Sequence, residues 1–158
     1  MATIDIGPGA IDGDDVSGAG YTFIDKDNPA NNTGTIDTFE IWCNTNLTGT
    51  KIGTIAGSGT TYTPRDVETI GNVTSGSKQT FSGLDCDVTS GDFMGYYAGD
   101  GLIERSTSGG TQYYYKSGDQ WGAGEQTYTA GSSNNKLSLY GTGATVEVIA
   151  ASRRIIVY

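Results

Sequence analysis

The chain has 158 residues, 25 of them glycine and none histidine, with nine Lys and Arg against eighteen Asp and Glu for a net charge of -9. Its length fits one domain able to bury roughly two thirds of the surface its unfolded form exposes. The missing imidazole removes Ser-His and Cys-His nucleophile pairs and HExxH zinc sites, and the acidic balance repels nucleic-acid phosphates and anionic membranes.

Apolar residues make up only 35% of the chain, so much of it must lie in turns around a thin core. Helical apolar spacing is absent over any window of about ten residues, whereas β-branched and aromatic runs recur between Gly, Asn, Ser and Asp clusters. The pattern predicts strands near residues 2–6, 20–25, 34–43, 50–56, 66–70, 78–86, 92–98, 102–105, 111–116, 125–130, 136–140, 144–150 and 154–158. The fold class expected is all-β, with too many strands for a single open sheet.

In chain order, residues 1–5 carry neither a basic nor an apolar leader, which predicts synthesis in a reducing cytoplasm. Asp12-Gly13, Asp100-Gly101 and Gly118-Asp119 read as turns. Over 34–43, alternation puts Phe39, Ile41 and Cys43 on a core face and Thr38, Glu40 and Trp42 on the other. Asn44 to Gly49 has turn composition and leads into Lys51 to Ile55, which predicts a hairpin. Ser90-Gly91-Asp92 starts another strand, in which Gly95 marks a bulge or a close backbone approach. The texture changes after Gly143, dividing the chain into a body, 1–143, and a C-terminal hairpin or arm, 144–158, which also reads as the last strands of the same domain.

Little in the chain carries chemistry. A P-loop lysine pattern and a dinucleotide glycine fingerprint are both missing, and the five glutamates show no spacing that selects a catalytic pair. The expectation is a protein that is not an enzyme and needs no cofactor. Asp12-x-Asp14-Asp15, Asp25-x-Asp27-Asn28 and Asp85-x-Asp87 offer oxygen ligands for a structural calcium ion, although Pro29 rules out an EF-hand. Their alternative role is to bond nearby backbone in loops, and no metal ligand is assigned. Cys43 and Cys86 lack CxxC spacing and read as buried free thiols or, alternatively, as a cross-strand disulfide. Apolar runs stay short of the roughly 18 residues that span a bilayer.

Two groups of residues are candidates for binding. Tyr113, Tyr115 and Trp121 are flat amphipathic rings in a polar, Gly-rich stretch, suited to stacking on a sugar, with Tyr114 directed to the opposite face of its strand. Val146, Val148, Ile155, Ile156, Val157 and Tyr158 form an apolar tail that must be covered, either by the domain's own sheet or by strand addition to another subunit.

Gly34 to Trp42, Gly71 to Phe81, Val88 to Asp92 and Leu137 to Gly143 together resemble the jelly-roll or lectin-like β-sandwich modules of phage virion proteins and some bacterial surface proteins, over about residues 2–143. The resemblance implies a two-sheet antiparallel sandwich. With the apolar tail, it points to a structural or assembly role as a capsid decoration or fibre-associated subunit. Such a subunit is made in the host cytoplasm, sits on the virion surface, and has other copies or a capsid or tail protein as partners. The alternative is an extracellular carbohydrate-binding module that uses the exposed aromatics and has glycans as partners. Nucleic acid and membrane are not expected partners.

Overall fold

The computed structural model describes residues 1–147, which form strands and loops without a helix. Thirteen strands follow in chain order: β1 (Thr3–Ile6), β2 (Asp15–Gly18), β3 (Tyr21–Asp25), β4 (Gly34–Ser58), β5 (Thr61–Val73), β6 (Lys78–Val88) and β7 (Phe93–Tyr97). The remainder are β8 (Asp100–Ser106), β9 (Gln112–Ser117), β10 (Gln126–Thr127), β11 (Thr129–Ser133), β12 (Lys136–Leu137) and β13 (Leu139–Ala144). Every ladder between them is antiparallel, so the expected all-β class is the observed one.

The predicted hairpin around Asn44 to Gly49 is not there. Residues 34–43 and 50–56 belong to one 25-residue strand, β4, which runs straight through the segment with turn composition. Its register slips between Cys43 and Thr45 and between Thr45 and Thr48 against β8, and between Leu47 and Thr50 against β5. Gly49 takes a φ of 59°, so the polar, glycine-bearing segment serves as a string of bulges. The bulges hand β4 from β13 and β6 at its start to β8 in its middle, and then to β5 and β7 at its end. Reversal comes later, where Ser58 faces Thr61 across the two-residue turn Gly59-Thr60. Asp100-Gly101 likewise opens β8, with Asp100 opposite Thr48. Strand β2 escaped detection because Val16 is its one large apolar residue.

The core has two parts, divided by the sheet in which β9, β3, β7, the end of β4 and β5 lie side by side. One face of this sheet sends Phe23, Met94, Tyr96 and Tyr113 into the larger cluster, where they meet Ile4, Ile36, Phe39, Ile41 and Leu139. Phe39, Ile41 and Cys43 are all fully buried there, as their alternation predicts. The other face carries Ile24, Ile55 and Tyr62, with Phe93 and Tyr114 packed alongside, under a lid formed by Trp121 and Tyr128. These central strands are therefore apolar on both faces.

Cys43 and Cys86 are buried and unpaired, and burial pushes the Cys86 thiol up to about 12. Strand β13 lies between β1 and β4, so residues through Ala144 are part of the body. Of the predicted strand 144–150, Ala144 ends β13, residues 145–147 are not in a strand, and 148–150 lie outside the described residues, as does the predicted strand 154–158.

Candidate ligand groove

Strands β3 and β9 pair with Phe23 opposite Tyr115 and Asp25 opposite Tyr113. Because side chains alternate along a strand, this register gathers Tyr21, Phe23, Tyr113 and Tyr115 on one face. Tyr21 and Tyr115 meet edge to face at 5.9 Å, Phe23 and Tyr113 lie 5.9 Å apart, and Tyr113 and Tyr115 are 6.3 Å apart. Across from them stand Val16, Ser17 and Gly18 of β2 and Arg105 of β8, and the two walls enclose a groove of about 250 Å³. Among the described residues strand β2 pairs with β8 alone, which leaves the mouth open at this edge. Tyr21 is 40% exposed at the rim, whereas Tyr113 is 8% exposed at the base.

Arg105 organises the polar side of the groove. Its Nη1 donates to the Tyr113 hydroxyl at 2.8 Å, and its guanidinium carbon stands 5.4 Å from the Tyr113 ring centroid. The Nη2 is paired with the Asp15 carboxylate, and this hydrogen bond holds the Asp15 carboxyl below its ordinary range. Two buried polar atoms of the lining residues, Arg105 Nε and Ser17 Oγ, have no hydrogen-bond partner among the described residues. The arrangement supplies flat amphipathic rings beside fixed polar groups, as small-molecule sites require.

The structure brings together two of the three residues expected to form an aromatic platform. Tyr113 and Tyr115 line the groove, and Tyr114 points to the opposite face, in the second cluster. Trp121 does not join them. It is 8% exposed and belongs to that second cluster, across the sheet from the groove. The reason is the paired glycines Gly53 and Gly95 of β4 and β7, which leave a slot for the indole. A β-carbon added at Gly53 would stand 2.9 Å from Trp121 Cζ3, and one added at Gly95 would stand 3.1 Å from its Cη2. Gly95 thus marks a close approach, one of the two readings its place in the strand suggested. Sequence reasoning missed Tyr21, Phe23, Ser17 and Arg105. A usable signal was present, since Tyr21-x-Phe23 repeats the spacing of Tyr113-x-Tyr115.

Three of the candidate aspartates are engaged by backbone N–H groups. Asp14 accepts from Thr107, Asp27 from Thr111, and the fully buried Asp25 from Asp27 and Leu137. Among the described residues no group of three or more Cys, Asp or Glu side chains converges as a metal site. Of the candidate assembly residues, Val146 is 69% exposed and lines a second groove with Thr33, Arg65 and Val88. Val148, Ile155, Ile156, Val157 and Tyr158 lie outside the described residues. No protein-family model, curated protein or solved structure matches this chain.

Proposed function

We propose that this chain is a non-enzymatic, jelly-roll-like β-sandwich module that binds carbohydrate in the groove between β2–β8 and β3–β9. The observation that carries this reading is the convergence of Tyr21, Phe23, Tyr113 and Tyr115 with Arg105 around one opening of sugar-like size. The ring faces offer apolar contact to the C–H face of a pyranose, while the Arg105 guanidinium gives one wall a polar character suited to its hydroxyls. The sandwich assignment is supported by the larger core cluster, which fills the space between the β3–β7–β9 sheet and the strands β1, β13 and early β4.

Tyr115 is half-buried and packs at the margin of the larger core, so Tyr115→Ala trims the groove wall at a modest cost in stability. The expected result is at least a tenfold loss of glycan affinity, about 1.4 kcal/mol, by calorimetric titration with a hit from a glycan array, and a thermal melt that stays cooperative with a small downward shift. A wild-type protein that binds nothing on the array, or a variant with undiminished affinity, would refute the assignment.

A second reading, compatible with the first, is a virion-type assembly role as a capsid decoration or fibre-associated subunit. It is favoured by Val146, an aliphatic side chain 69% exposed at the lip of the second groove, immediately before an apolar tail. Deleting residues 148–158 leaves the β13 pairings with β1 and β4 in place. Light scattering is expected to find an oligomer for the full chain and a folded monomer for the truncation. A full-length monomer, or a truncated oligomer, would exclude this role.

A further inference from the structure

We infer, on the carbohydrate reading above, that the groove takes a single neutral pyranose ring and discriminates against sugars bearing a carboxylate or sulfate. Charge, size and a polar wall all point that way.

Among the described residues Arg105 is the one cation lining the groove, and its charge is already committed to Asp15 and stacked on Tyr113. An anionic sugar would have to displace the Asp15 carboxylate, whose side chain is 41% exposed beside the opening, and would enter against a chain of net charge -9. Asp14 adds a second carboxylate next to it in the chain, bonded to Thr107. Discrimination against anionic sugars follows from this pairing and this charge.

Size limits the ligand to one ring. The groove measures about 250 Å³, below the roughly 300–1,000 Å³ of sites that enclose drug-sized molecules. The ligand must also be polar on one side, because Arg105 and Tyr113 line the groove with a guanidinium and the hydroxyl bonded to it. A sugar hydroxyl can meet such groups where a purely apolar ring cannot.

The decisive comparison is methyl glucoside against methyl glucuronoside, near-isosteric rings that differ in charge, titrated by saturation-transfer NMR and calorimetry on the full chain. Neutral methyl galactoside and mannoside serve as further probes. At least one neutral glycoside is expected to bind at least tenfold more tightly than the glucuronoside, and Tyr115→Ala should abolish its signal. Asp15→Asn should narrow the preference by raising glucuronoside affinity several-fold, because it frees Arg105. Tyr115-dependent binding of the glucuronoside at equal or greater strength would overturn the neutral preference and leave the carbohydrate reading standing. Binding of oligosaccharides with no detectable binding of any single ring would overturn the one-ring limit. Binding of none of these sugars would remove the carbohydrate reading itself.

Discussion

Trp121→Ala is expected to destabilise the protein by about 3–5 kcal/mol, the range for removing a large aromatic side chain from a core. The indole closes the second cluster over Ile24, Ile55, Tyr62 and Tyr128. Beneath it lie Gly53 and Gly95, which have no side chains to move into the space. The hole therefore stays open, and that sets the cost at the high end of core truncations. The groove is on the other face of the sheet, so sugar affinity in the folded variant should match the wild type. Urea denaturation gives the first quantity and titration of folded protein the second. A loss below about 1 kcal/mol, or a folded variant that no longer binds sugar, would mean the indole sits elsewhere. Tyr115→Ala is expected to show the opposite weighting, with affinity lost and only a small part of the stability, and the two variants together separate packing from binding.

Asp25→Ala is expected to cost roughly 2–4 kcal/mol, because it leaves two buried N–H groups without an acceptor. Asp25 is fully buried at the end of β3, where Oδ1 accepts from Asp27 N at 2.8 Å and Oδ2 accepts from Leu137 N at 2.6 Å. The second bond ties β12 to β3, adding to the two-residue pairing with β8 and to the burial of Leu137 in the core. Asp25→Asn keeps one acceptor and should be milder.

Burial pushes the Asp25 carboxyl well above its ordinary range, and the two backbone N–H groups only partly oppose this. The native state therefore holds this proton more tightly than the unfolded chain. It follows that the contribution of Asp25 to stability is greatest in acid. That contribution shrinks as pH rises from the unfolded carboxyl value, about 3.9, through the raised native one, and is constant beyond it. Urea midpoints taken across this range should show the wild type losing ground to Asp25→Asn as pH rises. Parallel profiles for the two proteins would refute the buried titration.

Much of the local architecture was legible in the residues. The alternation of Phe39, Ile41 and Cys43, and the division of Tyr113 and Tyr115 from Tyr114, follow from the two-residue period of a strand, a property each segment carries by itself. The path of β4 was not legible, because Asn44 to Gly49 has the composition of a turn and only the neighbouring strands β5 and β8 determine that the chain bulges there instead of reversing.

The groove divides in the same way. Sequence alone determined that this chain is all-β and that Tyr113 and Tyr115 share a face. Only the tertiary structure decided that Tyr21 and Arg105 stand beside them and that Trp121, six residues after Tyr115, is on the far side of the sheet. A side chain's face is set by its own backbone, whereas its neighbours are set by strand register and by where glycines leave room. Those are long-range outcomes of packing that no single segment encodes.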